Sequence, residues 1–321
     1  MKKFLQQLLI FSLPIFLLSY LLDVFVSATL KKSNSYAAGE YSTWNAIIDG
    51  KVNSTIVVYG SSRAWVQINP TMISDSLKVS AYNLGIDGHN FWLQYLRHSL
   101  LLKKNTKPRL IIHSLDIFTL DKVKDLYNAE QFLPYMLWNN EVRKATIGYN
   151  GYNLLDYEIP LIRYNGKQRA IDNILVSLVK NPQTNTLKRV KGYEGKDEQW
   201  NADFSKTKEA MKNFEVKFDT SSIALFDKYL NECKSKNINI IFVYTPEYIE
   251  GQKFIKNRDK LMEVYVGFAK KYHIPFYDFS YDSISYQKKY FYNALHMNKD
   301  GAELFTKKLI DTLKQYNTLY K

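Results

Sequence analysis

Short apolar runs and amphipathic stretches alternate along most of this chain. Five runs of strand length, Thr55–Tyr59, Ser80–Leu84, Leu110–Ser114, Ile238–Tyr244 and Pro275–Phe279, are apolar and bounded by polar or chain-breaking residues. Helical patterns separate and follow them, at Pro70–Leu77, His89–Leu102, Ser222–Lys236, Asn257–Tyr272 and Lys299–Tyr316. The last carries Ala302, Leu304, Phe305, Leu309, Ile310 and Leu313 on one face, with Asn298 placed to cap its start. The alternation predicts an α/β protein, a flavodoxin-like three-layer α/β/α sandwich with about five parallel strands. Chemistry in such sheets gathers at the carboxyl ends of the strands.

The N-terminus follows another pattern. Lys2 and Lys3 lead into a mostly apolar run, Phe4 to Leu22, which Asp23 interrupts before Val24-Phe25-Val26. A run of about 20 such residues suffices to cross a bilayer as a helix. The leading lysines favour an N-terminus inside and the bulk of the chain outside. Asp23 would then sit near the outer headgroups. A cleaved signal peptide is the rival reading, with Val26-Ser27-Ala28 as a weak cleavage site, but the run is long for one. The organisation expected is a signal-anchor transmembrane helix over 1–28, a linker over 29–53 and an α/β domain over 54–316. Residues 117–220 break the strand–helix rhythm and are rich in Lys, Asn and Tyr. They read as a partly helical insertion over the rim of the sheet, either a lid or substrate platform or a structural appendage.

Composition narrows the function classes. The net charge of +13 invites an anionic partner, but the lysines are scattered and no recognition motif is present, so nucleic acid is not expected. Anionic lipid or an acidic glycan fits better beside a membrane anchor, and a basic surface without a partner fits as well. The 25 Tyr and 18 Phe suit either a sugar-binding groove or an aromatic core. The single Cys233 excludes an intrachain disulfide and a Cys-based zinc site. His89, His98, His113 and His273 have no metal-ligand spacing, so neither metal nor cofactor is expected.

Two segments carry candidate chemistry. Ile56-Val57-Val58-Tyr59-Gly60-Ser61-Ser62-Arg63 puts serines just past an apolar β-branched run, where a strand turns into a helix. Tyr292-Asn293-Ala294-Leu295-His296-Met297-Asn298-Lys299-Asp300-Gly301-Ala302 puts a histidine just ahead of a helix start. A serine hydroxyl needs a base to take its proton before it is a useful nucleophile, so a Ser and a His meeting on one rim suggest acyl transfer. The plainer alternatives are Ser62 as a helix cap and His296 as a loop residue. Arg63 either holds an anionic substrate group or pairs with a carboxylate, and the second reading is favoured.

These blocks resemble the SGNH/GDSL hydrolase superfamily over about residues 54–116 and 222–316, in particular its membrane-anchored branch associated with polysaccharide O-acetylation and teichoic-acid D-alanylation. The resemblance aligns Ser62 of Gly60-Ser61-Ser62 with the family's nucleophile and Gly88 of Tyr82-Asn83-Leu84-Gly85-Ile86-Asp87-Gly88 with a backbone donor to the oxyanion, beside the N–H of Ser62 itself. The family's oxyanion asparagine has no counterpart in Ile112-His113-Ser114-Leu115-Asp116, where Leu115 or Asp116 occupies the register. His296 matches the family's base, and Asn293 stands where its acid should be. Asn293 can orient the histidine without stabilising an imidazolium; alternatively Asp278 or Asp282 reaches it, or the protein is slow or inactive. The resemblance implies a serine esterase or O-acyltransferase in the bacterial cell membrane, single-pass, with its C-terminal domain outside the cytoplasm. It implies O-acyl, above all O-acetyl, groups of a cell-surface polysaccharide as substrate and a membrane-bound O-acyltransferase as partner. Two other readings stay open: a non-catalytic SGNH-fold glycan-binding or scaffold subunit, and a lipid-surface hydrolase with an apolar acyl channel.

Overall fold

A computed structural model describes residues 1–33, 37–88, 91–179 and 189–320. Five parallel strands form one sheet: β1 (Ile56–Tyr59), β2 (Ala81–Asn83), β3 (Leu110–Leu115), β4 (Asn239–Tyr244) and β5 (Phe276–Asp278). Their order is β2-β1-β3-β4-β5, the flavodoxin-like order, with its topological switch between β1 and β3. Each strand lies within one or two residues of the run that predicts it. The helices Pro70–Leu77, Phe91–Lys104, Thr220–Ser235, Arg258–Tyr272 and Lys299–Lys314 likewise match the amphipathic stretches. The start of the stretch from His89 lies outside the described residues.

Strands covered on both faces by helices lose the alternation of a half-buried strand, which is why β1 reads Ile-Val-Val-Tyr and is buried throughout. One face of the sheet sends Ile56, Val58, Ile112, Ile241 and Val243 against Phe305, Leu309 and Leu313 of the last helix. Burying each such side chain contributes about 1.5–3 kcal/mol. The opposite face carries an aromatic layer in which Tyr59, His98, His113, Phe226 and Tyr229 pack ring against ring. The buried Cys233 belongs to this helix face, and burial pushes its thiol up to about 12. Cys233 is therefore a core filler.

The chain divides into two compact units. One comprises residues 46–123 and 189–321 and contains the sheet; the other comprises 1–45 and 124–188. The second unit is built on the helix Lys2–Lys32, which is long and apolar enough to cross a membrane. Its apolar side chains are exposed from Phe4 to Leu22, but Asp23, Ser27 and Leu30 are buried. Arg163 donates to both oxygens of Asp23, at 2.8 and 2.6 Å. The Trp138 indole N–H and the Leu161 backbone N–H also donate to Asp23 at 2.8 and 2.7 Å, as does the Ser27 hydroxyl at 3.3 Å. A carboxylate taken out of water is tolerated only when paired and hydrogen-bonded in this way.

Candidate active site

Strand β1 ends at Gly60, whose φ of +146° suits glycine. A Cβ there would stand 2.7 Å from the Ser114 carbonyl oxygen, so the turn is closed to larger residues. The chain enters the helix Ser62–Gln67 at once, with Ser61 as its N-cap accepting from the Arg63 N–H at 3.3 Å. Ser62 therefore opens a helix at the carboxyl edge of the sheet, and its own N–H is among the first-turn amides that lack an intrahelical acceptor.

The His296 loop is tied to this helix by side chains. The Gln67 amide donates to the Leu295 carbonyl at 2.9 Å, while its oxygen accepts from the Thr245 hydroxyl at 2.5 Å. The Tyr292 ring stacks on the imidazole at 5.4 Å with planes 6° apart. These contacts bring Ser62 Oγ to 2.8 Å from His296 Nε2.

Proton positions follow from Asn293. Its Oδ1 accepts from the backbone N–H groups of Leu295 and His296, at 3.0 and 2.9 Å, which fixes which end of the amide faces inward. The same oxygen lies 3.0 Å from His296 Nδ1, and an oxygen can only accept. Nδ1 therefore carries the proton, and the lone pair of Nε2 faces the Ser62 hydroxyl. The ring is half-buried, and burial with the nearby Arg63 holds its pKa down to about 3, while Asp203 acts in the opposite sense. His296 is accordingly neutral near pH 7, the form a base requires.

The other sequence-derived site residues are placed as follows. Gly88 lies in the turn after β2 at φ +85°. Arg63 is 2% exposed and donates to Glu247 at 2.7 Å and to Thr245 at 2.6 and 2.7 Å. It is thus enclosed and paired with a carboxylate. Asp278 accepts from Ser280 and Asp282 from Ile284 and Lys308, so both expected stand-ins serve their own loop and the adjoining helix, and the Nδ1 partner is Asn293. Asp116, which with Leu115 is one of the two residues that the resemblance sets at the register of an oxyanion asparagine, accepts from the Ser61 hydroxyl and the Phe118 N–H. His113 and His98 are buried in the aromatic layer, and His273 caps the helix Arg258–Tyr272 in the left-handed conformation. His89 lies outside the described residues. Among the described residues no His, Cys, Asp and Glu cluster suits a metal.

Sequence reading missed Glu247, Thr245 and Asp203, whose chain separation from Ser62 leaves no local signal, and Gln67, which ends the helix that Ser62 opens but whose partners Leu295 and Thr245 are distant in the chain. An apolar cavity of about 330 Å³ adjoins Asn293, Ala294, Leu295 and His296.

No family model matches the chain, and no curated protein does. Several solved structures are similar in fold. One is a GDSL-like lipase from Bacteroides thetaiotaomicron, at 13% identity over 85% of this chain and 96% of that one, with a TM-score of 0.38. Another, assigned to the G-D-S-L lipolytic family, comes from Desulfitobacterium hafniense, at 12% identity over 81% and 99% with a TM-score of 0.37. A third, proposed as an acylhydrolase, comes from Bacteroides fragilis, at 14% identity over 86% and 95% with a TM-score of 0.37. Likeness at this level assigns neither activity nor substrate.

Proposed function

We propose that this protein is a serine hydrolase or acyltransferase of the SGNH type. The observation that carries the reading is the Asn293–His296–Ser62 relay, in which the amide orientation leaves a base lone pair 2.8 Å from the serine hydroxyl. Ser62 Oγ attacks an acyl carbonyl as His296 Nε2 takes its proton. The oxyanion is held by the backbone N–H groups of Ser62 and Gly88. Collapse expels the alcohol, which leaves with the proton from His296, and a water or sugar hydroxyl then reverses these steps to free the acyl group.

In its finer form the reading is a membrane-anchored enzyme acting on O-acyl groups of a cell-surface polysaccharide. The apolar helix Lys2–Lys32 supports anchoring, and the family resemblance supports the polysaccharide and a membrane-bound O-acyltransferase as donor partner. Asn293 at the acid position favours one competitor, a non-catalytic glycan-binding or scaffold subunit.

The test is labelling of the full chain, in nanodiscs, by a fluorophosphonate probe. Labelling lost in both Ser62→Ala and His296→Ala supports the enzyme. A folded parent that does not label, or a Ser62→Ala variant that still does, overturns it.

A further inference from the structure

The cavity beside His296 has the wrong size and polarity for an acetyl group alone. Its walls come from four places in the chain, one of them the Asn293–His296 loop. Ile117 and Phe118 follow β3; Phe204 and Met211 belong to the segment around the helix Asp203–Ala210; Phe214 and Phe254 close it. The walls are built: Phe118 packs edge-on against Phe214 at 5.6 Å and Phe204 against Phe254 at 5.7 Å. The Phe214 backbone N–H donates to the Phe254 carbonyl at 2.9 Å, which joins two of these segments. The reactive end is the imidazole that contacts Ser62.

We propose that this cavity receives the hydrocarbon chain of the acyl group, so that Ser62 prefers esters of medium-chain acids to acetates. The inference rests on the serine-hydrolase reading above. In that reading the alcohol side of the ester is a sugar hydroxyl, and the acceptor that later frees the acyl group is water or another sugar hydroxyl. Both are polar and gain nothing from an aromatic and aliphatic wall, which leaves the acyl chain as the apolar part. At ~30 Å³ for each methylene-sized group, taken from the volume share of a water molecule, 330 Å³ holds a chain of at most about eleven carbons. The one charged side chain among the lining residues is Asp203, which is exposed. Its carboxylate repels a free fatty acid, so a neutral ester enters and the anionic product is expelled.

The measurement is kcat/KM for p-nitrophenyl acetate, butyrate, hexanoate and octanoate on the full chain in nanodiscs, with Ser62→Ala as the blank. The parent should gain about fourfold per methylene until the cavity is filled. Met211 is 43% exposed, so Met211→Trp is compatible with folding. It should lower the ratio of hexanoate and octanoate turnover to acetate turnover more than tenfold. Acetate as the best substrate, with a profile that Met211→Trp does not alter, overturns the proposal. So does a chain-length dependence that appears only in a series of alkyl acetates, since the cavity would then hold the alcohol. Turnover that survives in Ser62→Ala sinks the serine-hydrolase reading instead. The cavity is then tested alone, by ligand-observed NMR of methyl octanoate with the Ser62→Ala protein. Binding lost on adding Met211→Trp supports the chain site, and binding absent or unchanged refutes it.

Discussion

Replacing Asn293 by aspartate should accelerate acylation of Ser62. The three donors that now reach Asn293 Oδ1, namely Leu295 N–H, His296 N–H and His296 Nδ1–H, stand at 2.9–3.0 Å and would serve a carboxylate oxygen equally well. The exchange is nearly isosteric, so it adds charge without demanding new space. As the serine loses its proton the ring becomes an imidazolium, with its charge centre roughly 4 Å from the new carboxylate, and at an effective dielectric of about 20 that pair is worth about 4 kcal/mol. Burying the carboxylate offsets part of this, so a gain of about 10- to 1,000-fold is expected, below the ~10⁴ that separates Asp from Asn in the serine-protease triad. The same charge raises the pKa of His296. The assay is the second-order rate of fluorophosphonate labelling, measured from pH 4 to 9 beside circular dichroism and a melting curve. A folded Asn293→Asp variant whose rate stays within twofold of the parent would refute the relay as drawn.

In the parent, His296 should remain deprotonated well into acid, so the labelling rate should stay flat between pH 8 and 5; a fall centred near the ordinary histidine pKa would contradict the buried, Arg63-flanked ring. His98 and His113 are fully buried, and burial holds both at about 3. The unfolded chain therefore binds protons that the native state refuses. Stability is full above about pH 6.5 and falls toward pH 3, by at most about 1.4 kcal/mol per pH unit for each ring, readable from urea unfolding at pH 7 and 5. Glu247→Gln strips a buried guanidinium of its ion partner and should cost about 3–5 kcal/mol in the same experiment, while the double variant Arg63→Met, Glu247→Leu should cost less. Asp203→Ala removes the charge that favours protonated His296, so it should lower the acid limb of the labelling profile while leaving the melting temperature nearly unchanged.

Strands β1, β3 and β4 were legible because parallel strands buried on both faces must be short, continuous and apolar, and the shorter edge strands β2 and β5 were legible from the turn residues that bound them. Ser62, His296 and Asn293 were legible for a different reason. Ser62 opens a helix directly after a strand, and Asn293 and His296 lie in the loop that leads into the helix Lys299–Lys314, where glycine, serine and asparagine are locally informative. The ion pair of Arg63 with Glu247 was half legible: the arginine's preference for a carboxylate could be argued, but a partner 184 positions away could not be named. Asp278, which ends β5, and Asp282, in the loop after it, were named as alternatives, but carboxylates at such positions have short-range options. The amides of Ser280 and Ile284, two residues on, are nearer than any histidine. Within 117–220 the sequence offers no strong period, and the division of that stretch between two units depends on packing against distant residues.

The clamp on Asp23 ties the order of synthesis to the order of assembly. Arg163 lies 140 positions downstream, so at about 5–20 residues per second a nascent chain carries the buried-to-be carboxylate for roughly 7–28 s before its partner exists. In the proposed anchored form, the end of the membrane helix is a docking peg that waits for its socket. The same logic sets where the chain can be cut. Removal of residues 1–32 would leave the Arg163 guanidinium buried without its carboxylate, so a soluble fragment beginning at Ser33 should melt far below one that keeps the helix from Asp23 onward. Comparing the two melting curves in one detergent would decide whether the anchor's last turns are leash or keystone.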